Sequence, residues 1–221
     1  MPRLSVDVIQ QLLDEMNRLV VTYPEGVERT GRTLDKLIAG TAFFPGGTGL
    51  WRGRISGGPL PDQFPEKPVM FVAHNFGNLA SLQAGIRDKG EAHSAFANLW
   101  TNLLDFIGHA SPLAPAESFF TNAFMGLKPD DRSGKMPSCE AYESQCLHFL
   151  SRQAQIVDPR AVVTLGGDAA TFWRHAKRLY PLLGAIPSVE IMHPSARPLN
   201  QKPTSALWKQ NQGSAILGLL Q

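Results

Sequence analysis

From Val69 onward, short apolar runs alternate with longer segments of helical period, and this alternation constrains the fold more than any other feature of the chain. Val69–Ala73 (VMFVA), residues 118–127, Ala161–Leu165 (AVVTL) and residues 188–192 read as strands. Residues 94–107 place Phe96, Leu99, Trp100, Leu103, Leu104 and Ile107 at helical spacing. Residues 139–157, a segment opening at Gly166-Gly167, and Ser205–Leu220 read as further helices. Strands separated by helices join through right-handed crossovers into a largely parallel sheet covered on both faces. The predicted fold is therefore α/β: a three-layer α/β/α sandwich around a central, mostly parallel four-stranded sheet.

The first 68 residues are organised differently. Residues 5–20 carry Val8, Leu12, Leu13, Met16 and Leu19 on one helical face, with Ser5 as a candidate N-cap, and a second short helix is predicted over 33–38. Residues 41–68 are rich in glycine and proline and read as a long irregular loop anchored by Phe43, Phe44 and Trp51. With 221 residues the chain fits one domain, helices and loop over 1–68 and the strand/helix core over 69–221. An apolar fraction of 43% supports a folded core without disulfide or metal staples.

Cys139 and Cys146 stand seven residues apart, two helical turns, which could bring both to one face but leaves them too distant to bridge. The absence of a CxxC pair, of a continuous N-terminal apolar run and of any stretch long enough to span a membrane leads to the expectation of a cytoplasmic protein with no membrane contact, and with no sign of an obligate oligomer a monomer is expected. The net charge of +2 and a pI near 8.6 permit a polyanionic partner without requiring one. Arg174, Lys177 and Arg178 share a helical face that a solvated surface would explain equally well.

Three strands end in polar clusters: His74-Asn75, Thr121-Asn122 and His193-Pro194-Ser195. In open α/β sheets, ligands bind beyond the carboxyl ends of the strands, so these clusters mark the candidate site. An asparagine alone at a strand end is most often a turn former. Three clusters in apolar settings change that balance. An asparagine amide offers one acceptor and two donors, which suits the edge of a planar base. An imidazole can donate to an oxygen that gains charge as a bond breaks. By side-chain alternation His74 is expected to point away from Asn75.

These segments resemble the motifs of the uracil-DNA glycosylase superfamily. VMFVAHNFGNLAS is similar to its first motif, a strand ending in a Gly-x-Asn-Pro-Gly type turn, with Ala73, His74, Asn75, Phe76 and Gly77 in the five places. SFFTNAFMGLKP resembles the base-reading Thr-Asn strand of family-4 enzymes, PRAVVTLGGDAA the third strand and its turn, and IMHPSARP the His-Pro-Ser motif. The resemblance implies a monofunctional DNA glycosylase that flips uracil or a related damaged base out of the duplex. Asn75 would position the hydrolytic water and His193 would stabilise the departing base. Asn122 would read the base edge, with Phe96 or Phe76 stacking on it and Gly77 and His74 completing the pocket. Ser195, Arg197 and Gly166 would face the DNA.

The chain also departs from that pattern. Phe76 stands where proline is usual, and the turn lacks the Glu or Gln of the family-4 and main uracil branches. Family-4 enzymes bind an iron–sulfur cluster through four cysteines; Gly126 occupies one expected ligand position, Cys146 alone resembles another, and two cysteines cannot supply four thiolates. No cofactor and no metal is expected. Because asparagine cannot act as a general base, catalysis would rest on positioning and leaving-group stabilisation. Two alternatives remain: a non-catalytic nucleic-acid or nucleobase binder, and a nucleotide-binding enzyme that cradles phosphate at Gly166-Gly167.

Overall fold

The computed structural model describes residues 8, 11–12, 14–15, 18–27, 44–45, 66–75, 78, 118–128, 136–194 and 205–221. Strands β1 (Phe44–Pro45), β2 (Val69–Ala73), β3 (Ser118–Asn122), β4 (Ala161–Leu165) and β5 (Ser188–Ile191) form one sheet in the order β1-β3-β2-β4-β5. The four strands β2 to β5 are mutually parallel, as the strand/helix alternation requires. β2, β3 and β4 are almost wholly buried along their length, which explains their continuous apolar runs in place of a polar–apolar alternation.

β1 was not anticipated. It lies in the glycine- and proline-rich stretch read as irregular and pairs antiparallel with β3, Phe44 opposite Phe120. Pro45 lacks an N–H for a ladder, so its place on an edge strand is a compatible one. Residues 41–43 and 46–65 of that loop, the helix expected at 33–38 and the helix expected at 94–107 lie outside the described residues.

Helix α1 (Glu140–Val157) follows β3, α2 (Gly167–Leu179) follows β4, and α3 (Ser205–Leu220) closes the fold. Alternation sends Met70, Val72, Phe119 and Val162 to one face of the sheet, where they join Leu147, Phe149, Leu150 and Ala154 of α1 and Phe172, Trp173 and Ala176 of α2 in one core. Val8 and Leu12 of the N-terminal helical segment enter the same core. That segment stops at Arg18, two residues short of the expected end, and leaves Val20 82% exposed. Phe71 and Phe120 stack on the other face, rings 4.8 Å apart. α3 packs on β4 and β5 and buries Ile216 apart from the first core, adding the third layer.

The cysteines do not share an environment. Cys139 is the exposed N-cap of α1, with an extended backbone, whereas Cys146 is buried one helical stretch later. Glu140 and Glu143 lie in the first turn of α1, where the helix dipole favours negative charge.

Candidate active site

The parallel ladders align the strand ends. Ala73 is level with Asn122, and Leu165 with Ile191, so His74, Asn122, Gly166 and His193 all emerge at the carboxyl edge of the sheet. Strand order reverses about β2, with β3 on one side and β4 and β5 on the other, and such a reversal is where α/β sheets open a crevice. β3 is shorter than expected. After Asn122 the chain turns, tying the Ala123 N–H to the Ala73 carbonyl (2.7 Å) and the Phe124 N–H to the His74 carbonyl (3.0 Å).

His74 does not point away from Asn75. β2 ends at Ala73, so strand alternation no longer governs the next residue, and the Asn75 amide nitrogen Nδ2 lies 2.8 Å from His74 Nδ1. The His74 ring also meets Phe124 in a T-shaped contact, centroids 5.3 Å apart. Phe124 is in turn fixed between Phe172 at 4.8 Å and Tyr142 at 5.7 Å.

Thr121 turns toward α1, donating its hydroxyl proton to Gln153 Oε1 at 2.6 Å in a fully buried contact. Alternation therefore directs Asn122, itself only 7% exposed, to the opposite face of the sheet. Gln153 escaped the reading of the sequence because its partner lies 32 residues away and a polar residue in a helix ordinarily marks the solvent face.

His193 stands two residues past the end of β5. Burial first, and the neighbouring His74 second, push its pKa below the ordinary value, so the imidazole is neutral near pH 7. Two backbone devices place it. Gly166, at φ 91°, makes the turn out of β4 and donates its N–H to the Ile191 carbonyl at 2.8 Å. The Met192 N–H, just past the end of β5, is taken by Gln212 Oε1 of α3 at 2.6 Å. Nothing in the local sequence around Gln212 announces that contact.

Phe76, Gly77, Phe96, Ser195 and Arg197 lie outside the described residues. The phosphate cradle considered at Gly166-Gly167 is disfavoured by charge: a Cβ on Gly167 would stand 3.6 Å from a Glu190 carboxylate oxygen, and Asp168 occupies the first turn of α2. Two carboxylates at one helix N-terminus oppose an incoming phosphate.

A family model, the uracil DNA glycosylase superfamily, matches residues 64–212, well over half of the chain. The chain belongs to the uracil-DNA glycosylase superfamily. The match spans all four parallel strands and the strand ends at His74, Asn122, Gly166 and His193. Members of this superfamily act on damaged DNA, and membership gives this chain a DNA glycosylase-type function with DNA as its partner. No curated protein matches the chain in a sequence search.

The iron–sulfur cluster of the family-4 branch does not fit this superfamily member. Its two cysteines are an exposed helix cap and a buried thiol. Burial pushes the Cys146 thiol up to about 12, the reverse of what a thiolate ligand needs. The Tyr142 hydroxyl above it donates to the Met125 carbonyl and belongs to the same buried layer. Among the described residues no group of three or more His, Cys, Asp or Glu side chains is placed to hold a metal ion, and no helix is long and apolar enough to cross a membrane.

Proposed function

We propose that this protein is a monofunctional DNA glycosylase that hydrolyses the N-glycosidic bond of uracil or a related deaminated base. The observation that carries the reading is the half-buried His193, its pKa lowered by that burial, at the same sheet edge as Asn75 and Asn122. A neutral imidazole keeps one N–H to donate toward a carbonyl oxygen of the base, and that bond strengthens as the oxygen gains charge during departure. A desolvated site raises its value, because the same charge interaction is weaker in water. Asn122, nearly buried, offers the donor and acceptor pair that a pyrimidine edge requires, and a base lacking the matching pattern would leave a buried amide unpaired.

Asn75 supplies no proton acceptor of useful basicity, so its part is to hold the attacking water. Extruding the base costs a few kcal/mol, which stacking and edge hydrogen bonds offset. Phe76 and Phe96 remain the proposed stacking residues, Gly77 completes the pocket, and Ser195, Arg197 and Gly166 are proposed to face the DNA. At Gly166 the N–H is already committed to Ile191, so its contribution would be close approach of a bare backbone. A monomer working in the cytoplasm completes the proposal.

The test is direct. Purified protein should leave alkali-labile sites in uracil-containing oligonucleotides, and Asn122→Ala or His193→Ala should remove most of that activity. No release from uracil, hypoxanthine, xanthine or mismatched thymine, single- or double-stranded, would sink the reading. Salt-dependent DNA binding without base release would select the non-catalytic alternative, which the lack of an acidic residue in the turn favours.

A further inference from the structure

His74 fills the variable second place of the Ala73-His74-Asn75-Phe76-Gly77 turn, and four separate contacts involve it. Its carbonyl receives the Phe124 N–H at 3.0 Å, its ring meets Phe124 edge to face, its Nδ1 lies 2.8 Å from Asn75 Nδ2, and it acts electrostatically on His193. The first two contacts fix the ring, since Phe124 is itself wedged by Phe172 and Tyr142. The third selects a tautomer: an amide nitrogen carries only donors, so the Nε2–H form of His74, with Nδ1 accepting, is the one that makes this contact a hydrogen bond.

We propose that His74 is a positioning residue that orients the Asn75 amide, a role that rests on the glycosylase reading of Asn75. An amide is nearly symmetric in shape, and a 180° turn exchanges an acceptor for a donor. With its nitrogen tied to Nδ1, Asn75 turns its carbonyl oxygen away from His74, and that oxygen is the end able to accept a proton of the reacting water. Water held by its proton keeps an oxygen lone pair available for attack at the sugar carbon. Reversed, the amide would donate to that lone pair and blunt the nucleophile. Because Asn75 cannot act as a base, its orientation is the whole of what it can contribute.

The contact with Phe124 links this device to the base-reading strand. Phe124 lies two residues beyond Asn122 and bonds its N–H to His74, so the water-holding and base-reading asparagines are referenced to one another through a single aromatic ring. Hydrolysis needs both to be in register with the same glycosidic bond.

Two measurements test the proposal. The first is independent of turnover: nitrogen-15 spectra of the full-length wild type at pH 7.5 should show His74 as the Nε2–H tautomer with an accepting Nδ1, and distinct, slowly exchanging Asn75 amide protons. The second uses steady-state kinetics on a uracil oligonucleotide. His74→Phe keeps a ring against Phe124 without the acceptor, and should lower kcat by about tenfold or more with KM unchanged, the scale expected for a misplaced reacting group. His74→Asn, whose Oδ1 can reach near the place of Nδ1, should restore most of the rate. An Nδ1–H tautomer in the wild type, full activity of His74→Phe, or equal impairment of both variants overturns the proposal. A wild type that releases no base overturns the glycosylase reading and with it the role of the water, while the tautomer still decides the His74–Asn75 bond.

Discussion

A methyl group on Gly166 would stand 3.5 Å from Cβ of His193, an ordinary contact rather than a clash. The turn needs glycine for a different reason, its φ of 91°, a conformation that side-chain-bearing residues rarely adopt. The residue that follows β4 and the second residue past β5 thus lie side by side, and backbone conformation is what requires the glycine.

Gly166→Ala should therefore destabilise the protein by about 1 kcal/mol through backbone strain. Urea unfolding would register it as a lower midpoint at unchanged slope. Relief of the strain by a shift of the turn would move His193, so the loss of base release should exceed the loss of folded protein.

The depressed pKa of His193 carries a signed pH dependence of stability. The unfolded chain takes up a proton as pH falls through about 6.5, while the folded chain keeps this imidazole neutral to lower pH. Stability from this group is accordingly full above pH 6.5 and declines as the pH falls toward the folded-state pKa, below which the loss is complete. Denaturation at pH 7.5 and pH 5 should show a smaller acid-side loss in His193→Gln than in the wild type. An identical loss in both would place the pH dependence elsewhere.

Gln153→Leu leaves the buried Thr121 hydroxyl without its acceptor, a change expected to cost about 1–3 kcal/mol. Pairing it with Thr121→Val should recover part of that cost, because the orphaned hydroxyl is then gone. A double-mutant cycle in denaturant measures the difference, and strict additivity would mean that the two side chains do not interact.

Gln212→Leu removes the acceptor of the Met192 N–H next to His193. Amide exchange at Met192 should accelerate, and kcat for base release should fall while substrate affinity holds. Gln212→Glu, which keeps an acceptor oxygen, should remain close to the wild type in exchange.

Much of the scaffold was legible before the fold was known. The apolar runs VMFVA and AVVTL became strands with the anticipated bounds, and Ser205–Leu220 became a helix with the anticipated bounds, because hydrophobic period and short-range propensity are local properties. Residues 118–127 were read too long because a strand continues only while it has ladder partners, and the chain turns at Ala123 where Ala73 and His74 supply carbonyls instead. β1 was missed for the same reason: two residues carry no period, and pairing with β3 alone makes them a strand.

The amino-acid sequence by itself determined that the chain alternates strand and helix, that polar clusters close three strands, and that two cysteines cannot ligate a four-thiolate cluster. Tertiary structure alone decided the orientation of those clusters. His74 joins Asn75 because β2 ends one residue before it; Thr121 leaves the site for Gln153; and the pKa of His193 falls because folding buries it, with His74 nearby. Periodicity acts between neighbours in the chain, whereas hydrogen-bond partners and solvent exposure depend on residues that only the packed sheet brings together.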